Sequence, residues 1–211
     1  MKPWKLIVCL LILAPVGILT AGFLIFRSGV SCNLMVLDSV TLRDGDLVFR
    51  RGKSIESLAV LVADNNAAYS HIGMIIMNGK KPFAIHVEPA ENNDPDDRVK
   101  EESLIDFLGN EKASHFAIYR SHLRKEGLSR ATVKAKSFFY GKIRFDNSYD
   151  LLTDQRMYCS ELILKAYQYG DPTINSILSN MEDVGILVAR RKILMPGAFI
   201  RSRIFYKICS Q

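Results

Sequence analysis

Cys159 and His71 are the two residues of this chain whose surroundings favour covalent chemistry. The run Thr153-Asp-Gln-Arg-Met-Tyr-Cys159-Ser-Glu-Leu-Ile-Leu-Lys-Ala-Tyr167 reads as the opening of a helix with Asp154 as its N-cap. A cysteine in those early turns meets free backbone N–H groups and the positive end of the helix dipole. Both favour the thiolate, which is the nucleophile in attack on a carbonyl. The same cysteine shares an apolar stripe with Leu162, Ile163, Ala166 and Tyr167, the pattern of a small core residue on a buried helix face. If that face packs on a sheet, the sulfur is aimed at residues of the sheet.

A thiol needs a proton acceptor, and Tyr69-Ser-His71-Ile-Gly-Met-Ile-Ile-Met77 offers one at the start of a strand. Gly73 falls on the same face as His71 by two-residue alternation and leaves room there for another group. The following strand carries His86 and Glu88 on one face of its own. Asn78-Gly-Lys-Lys81 between them invites a hairpin. With Gly79-Lys80 as the central turn residues, His71 lies opposite Glu88; with Asn78-Gly79 central, it lies opposite His86. Either register gives the imidazole a partner that holds its tautomer and steadies its protonated form. His71, His86 and Glu88 also match a metal ligand set by residue type, but not by any diagnostic spacing. His115 and His122 have no such neighbours in sequence. No metal or cofactor enters the reading.

The elements that must position these groups are mixed. A turn at Arg43–Asp46 precedes a strand at Leu47–Arg50. A helix is predicted over Ile55–Asp64, with Ile55, Leu58, Ala59 and Val62 on one face. Strands are expected at Ile72–Met77, Phe83–Glu88 and about His115–Arg120, with a short helix near Leu104–Leu108. Glu91–Asp97 and Arg124–Arg130 read as exposed connections. Further helices are expected over Ser129–Tyr140 and from Gln155 to Tyr169, the latter stopped by Gly170 and Pro172. Helices and strands do not alternate regularly, so the fold class is α+β rather than a doubly wound sheet.

The composition divides the chain at its beginning. Leu6–Phe26 is a run of 21 residues without a charge, long enough to cross a hydrocarbon core of about 30 Å. It continues through Thr20-Ala21-Gly22 into Phe-Leu-Ile-Phe, which predicts a retained anchor rather than a cleaved signal. Residues 1–28 are therefore expected to be a single membrane-spanning helix and 29–211 a separate domain. The short head favours an inside N-terminus and an exported domain, on the periplasmic side of a bacterial inner membrane. Of the 28 Lys and Arg, Lys2 and Lys5 lie in the head, so the remainder has 26 against 22 acidic residues, a mild +4. That balance and the absence of a nucleic-acid motif exclude nucleic acid as the expected partner. The expected partners are the lipid bilayer and a peptide, amide or acyl substrate. Cys32 and Cys209, near the two ends of the domain, are available to pair in an oxidising compartment.

Arg43-Asp-Gly-Asp-Leu-Val-Phe49, then Tyr69-Ser-His71-Ile-Gly-Met-Ile-Ile76, then Phe145-Asp146 ahead of Tyr158-Cys159-Ser-Glu-Leu162 resemble the circularly permuted papain-fold cysteine hydrolases. These are the YiiX-like relatives of NlpC-type cell-wall amidases, more distantly related to lecithin:retinol acyltransferase. The resemblance covers roughly residues 40–170, and its specific part is order: here the histidine precedes the cysteine. It implies a papain-like domain with an antiparallel sheet packed on helices. It implies Cys159 as nucleophile, His71 as general base and Glu88 as the third polar residue, with Pro89 interposed in the motif. Asp46 and Asp146 are given no catalytic role. The expected activity is a membrane-anchored cysteine amidase or peptidase acting on cell-wall peptide or related amides through a thioester. A lipid acyl hydrolase or acyltransferase, and a non-catalytic binding module, are the alternatives.

Overall fold

A computed structural model describes residues 41–211 apart from 66, 91–95 and 187–188. The predicted span and Cys32 lie outside the described residues. Among the described residues no helix is long and apolar enough to cross a membrane.

Six strands form one antiparallel sheet in the order β10-β5-β1-β2-β3-β4. They are β1 (Leu47–Gly52), β2 (His71–Asn78), β3 (Lys81–His86), β4 (Lys100–Ser103), β5 (Ala113–Ser121) and β10 (Phe205–Ser210). The central strand β1 is buried on both faces, because Leu47, Val48 and Phe49 alternate between two cores. On one face Leu47, Phe49, Ile72, Met74, Ile76 and Ile85 meet Leu162, Ile163, Ala166 and Tyr167 in the larger core. On the other, Val48, Ile75, Ala84, Phe116 and Ile118 are covered by Leu104, Phe107 and Leu108. Those three belong to or adjoin the short helix α2 (Leu104–Phe107).

The larger core is closed by α3 (Lys125–Tyr140) and α4 (Cys159–Gly170). These helices approach so closely at one point that a Cβ on Gly170 would lie 2.3 Å from the carbonyl oxygen of Gly127. The expected exposed connection over Arg124–Arg130 is instead the first turn and a half of α3. Gly127 is buried against α4 there, so tertiary contact outweighs the polar local composition.

Helix α4 also starts later than expected. The chain stays extended through β7 (Arg156–Met157), which pairs in parallel with β6 (Arg144–Phe145). Tyr158 is the N-cap, and its N–H donates to Glu161 Oε2 at 3.3 Å. Asp154, expected as the cap, instead accepts from Lys165.

Helix α1 (Ile55–Ala63) exists as expected, but its apolar stripe faces outward: Ile55, Leu58 and Val62 are 84%, 57% and 63% exposed. The helix docks through Leu61 and through the buried Asp64 at its end. Asp64 accepts from Gly197 N at 2.6 Å and from Arg201 Nη1 at 2.9 Å. Both belong to α5 (Pro196–Arg201). The last forty residues add a 3-10 helix (Pro172–Asn180), the hairpin β8 (Glu182–Ile186) with β9 (Ala189–Ile193), and the edge strand β10.

Candidate active site

The hairpin joining β2 and β3 uses Gly79-Lys80 as its central pair, with Asn78 opposite Lys81 and Met74 opposite Ile85. Continued formally, that register sets His71 opposite Glu88 and Gly73 opposite His86. Ladder pairing stops at Met74–Ile85, however, and β3 ends at His86 rather than at the expected Glu88. His86 therefore lies over Gly73, where an added Cβ would sit 3.4 Å from the His86 Cβ and 3.3 Å from Ile85 O. From there its ring reaches diagonally to His71, as cross-strand neighbours two residues off do. His71 Nε2 and His86 Nδ1 are 3.0 Å apart, and both residues are buried.

Phe107 from α2 packs against both rings, with centroids 5.6 Å from His71 and 4.9 Å from His86. Arg50, paired with His71 across β1 and β2, lays its guanidinium 4.4 Å above the same phenyl ring and donates to Phe107 O. Burial drives the His71 pKa well below that of a free imidazole, and the nearby Arg50 charge adds to this. Burial likewise lowers His86. Both are neutral imidazoles at neutral pH.

Glu88 lies next to this pair, with one carboxylate oxygen on Arg50 and the other 3.5 Å from Lys100 Nζ. Burial pushes its carboxyl up, but His71, His86, Arg50 and Lys100 together bring it down to about 2. His71, His86 and Glu88 each have one donor atom within 4.8 Å of the others. By type, two imidazole nitrogens and a carboxylate suit a zinc-class cation. Here the ring nitrogens are bonded to each other and both Glu88 oxygens face cations, so all three donors have protein partners.

Cys159 is the first residue of α4 and packs against the larger core, on the side of the sheet that carries Ile72. Burial pushes its thiol up to about 11, against the pull of Ser160 and of backbone N–H groups at Ile72, Ser160 and Cys159. The sulfur thus meets the backbone of β2 at the residue immediately after His71. Its Sγ is 3.9 Å from Ser160 Oγ.

The loop before α4 was only partly legible. Asp146 accepts from Ser148 N, Ser148 Oγ and Asp150 N at 2.6–2.8 Å, which builds the turn that carries Tyr149 in a left-handed conformation (φ 53°). Tyr149 lies against Tyr158, 5.3 Å between centroids and tilted by 58°, and burial raises its phenol. A positive φ at a bulky residue marks stored backbone strain of the sort that collects at functional sites. Asp46 has a structural place: Arg120 donates to both of its oxygens at 2.7–2.8 Å, joining β5 to the turn before β1. Two further residues escaped sequence reasoning. Glu102 on β4 lies 3.2 Å from His86 Nε2, and Lys112 contacts its other oxygen. His115 bonds Ser114, and His122 stacks on Tyr206, both away from the pair. Cys209 is half-buried on β10; its suggested partner Cys32 is outside the described residues.

The fold matches that of a solved structure, the metalloprotein YiiX from Escherichia coli O157:H7. Its TM-score is 0.60 at 22% identity, covering 80% of this chain and 97% of that one. The sequence is 28% identical over 127 residues to the uncharacterized protein YiiX of Escherichia coli K12, an alignment spanning 59% of this chain and 56% of the relative's length. The His71-to-Cys159 order and the buried histidine pair lie inside a longer match, over residues 41–208, to the permuted papain-like amidase enzymes of the YaeF/YiiX type, the C92 family, and the chain belongs to that family.

Proposed function

We propose that the protein is a membrane-tethered cysteine amidase in which Cys159 is the nucleophile and His71 the general base, with His86 holding His71. The observation that carries this reading is the contact between the buried rings of His71 and His86, beside the backbone N–H that meets the Cys159 sulfur. His71 takes the thiol proton as Sγ adds to the substrate carbonyl. Backbone N–H groups at the start of α4 bind the oxyanion. The proton on His71 passes to the leaving nitrogen, the C–N bond breaks, and a thioester remains. Water, deprotonated by His71, then cleaves the thioester and returns the thiol. Glu88, read from sequence as the third member, instead balances Arg50 and Lys100 in this scheme.

The substrate class proposed is cell-wall peptide or a related amide, met by a domain that the 1–28 segment holds at the outer side of a bacterial inner membrane. A second reading, a lipid acyl substrate, is favoured by one observation. Helix α1, which follows β1 in the chain, turns Ile55, Leu58 and Val62 outward and so offers an exposed apolar surface. Incubating the full-length protein with muropeptides and, separately, with phospholipid vesicles tests the two. Amide-cleaved fragments that disappear with Cys159→Ala support the first reading, and released fatty acid supports the second. Undiminished turnover by Cys159→Ala would refute both.

A further inference from the structure

A neutral imidazole carries one N–H and one lone pair, so a hydrogen bond between two ring nitrogens needs one ring as donor and the other as acceptor. Between His71 Nε2 and His86 Nδ1, 3.0 Å apart, the direction is set by what lies behind His86. His86 Nε2 faces Glu102 Oε2 at 3.2 Å, and a carboxylate only accepts. His86 therefore commits its single proton to Glu102 and presents a bare Nδ1 to His71. His71 must supply the proton between the rings from Nε2. That leaves His71 Nδ1 with a lone pair.

We propose that Glu102 is a positioning residue of the active site: acting through His86, it sets His71 in the tautomer whose Nδ1 accepts the Cys159 proton. The proposal rests on the reading of Cys159 and His71 as nucleophile and base. Glu102 lies opposite Ala84 across β3 and β4, and that small neighbour leaves the diagonal to His86 open. Lys112 contacts the other Glu102 oxygen. Burial works against the charged form of Glu102, yet the hydrogen bonds from His86 and Lys112 hold its carboxyl down to about 2, so it remains an acceptor at working pH. The other charged groups around the two rings are Arg50 from β1, Glu88 beyond β3 and Lys100 from β4. Arg50 and Lys100 face Glu88, which leaves Glu102 as the carboxylate bonded to an imidazole nitrogen among the described residues.

The tautomer is readable without turnover. Full-length protein labelled with 15N-histidine, in detergent, gives long-range 1H–15N correlations that distinguish Nδ1–H from Nε2–H in each of the 4 histidines, assigned by single His→Gln substitutions. The wild type should show His71 and His86 both as Nε2–H at neutral pH. Glu102→Ala frees the His86 proton to sit on Nδ1. It should shift His71 toward Nδ1–H and lower kcat by roughly ten- to a hundred-fold at little change in KM, the scale of losing an outer orienting partner. Glu102→Gln keeps an acceptor oxygen and should restore most of both. If Glu102→Ala does not fold, Glu102→Leu fills the space without an acceptor and reports the same shift. A wild-type His71 in the Nδ1–H form, or a His71 tautomer unmoved by Glu102→Ala or Glu102→Leu, would overturn the proposal. Turnover that survives His71→Ala would instead overturn the base assignment, and the tautomer spectra are independent of that outcome.

Discussion

Raising the pH from 7 to 10 should accelerate alkylation of Cys159 by close to a thousand-fold, because the resting thiol is protonated. Burial at the start of α4 pushes it up to about 11, and burial separately drives His71 neutral, so neither residue favours a preformed thiolate–imidazolium pair. With a pKa near 11, the thiolate fraction is about 10⁻⁴ at pH 7 and about a tenth at pH 10, a rise of roughly 900-fold. A free thiol with a pKa of about 8.5 would climb only from about 3% to about 97%, roughly thirty-fold, over the same interval. A preformed ion pair would not climb at all. The assay is timed reaction of the full-length protein with iodoacetamide, quenched with excess thiol. Mass spectrometry then follows the tryptic peptide Met157–Lys165, whose one cysteine is Cys159. Glutathione in the same tube serves as the unperturbed reference. A rate that is flat from pH 7 upward, or that levels off below about pH 8.5, would refute the reasoning, since the thiol would then ionise at or below its ordinary range.

Four further outcomes rest on particular contacts. His86→Ala should lower kcat by roughly a hundred-fold through loss of the ring that orients His71. Glu88→Gln should leave kcat within about five-fold but cost about 3 kcal/mol in chemical denaturation, because it removes the anion that pairs the mostly buried Arg50; a kcat loss with Glu88→Gln as large as with His86→Ala would restore Glu88 to the triad. Gly73→Ala presses a methyl group against His86 Cβ at 3.4 Å and Ile85 O at 3.3 Å. It should cut turnover about ten-fold while the melting temperature moves only slightly, and wild-type turnover would show that His86 tolerates the shift. In Gly170→Ala the new Cβ would lie 2.3 Å from Gly127 O, a backbone atom with no rotamer to escape into. Forcing α3 and α4 apart should cost about 3 kcal/mol, or roughly 6–12 °C in melting temperature by calorimetry, and an unchanged Tm would mean that the helices are not so close.

What was readable in the sequence was local. The β2–β3 hairpin came from Asn78-Gly-Lys-Lys81 and from apolar residues on either side, and only its register was left between two choices. The observed Gly79-Lys80 turn sets His71 formally opposite Glu88, yet the ring that His71 touches is that of His86. Period-two alternation assumes that a ladder continues, and this one stops three residues before His71. Glu102 was out of reach for a different reason: β4 pairs with β3 only after the long connection 87–99, and alternation within one strand says nothing about a neighbour brought in from so far along the chain. The α1 stripe shows the limit of helical periodicity. Ile55, Leu58, Ala59 and Val62 were correctly placed on one face, but a pattern identifies a face without saying what covers it. Asp154 illustrates local preference overruled by pairing, since β6 and β7 keep the chain extended until Tyr158.

Both sequence readings of Cys159, a small core residue on an apolar stripe and a nucleophile at a helix start, bear on how readily its thiol ionises. Its place on the stripe packs it against the larger core, and that packing removes the water that would stabilise a thiolate. The helix-end N–H groups at Cys159 and Ser160, with that of Ile72, recover part of the loss but leave the thiol protonated at rest. As the proposed nucleophile, Cys159 would depend on an acceptor that is neutral and fixed in one tautomer. His71 is driven neutral by its own burial beside Phe107, so desolvation shifts the two residues in opposite senses. Burial alone does not choose which ring nitrogen carries the proton; that selection needs an anion at the far end of the hydrogen-bonded rings. In the proposed mechanism the apolar core and the charged β4 edge supply separate requirements of one proton transfer, and substitutions in either should slow it while leaving the other measurably intact.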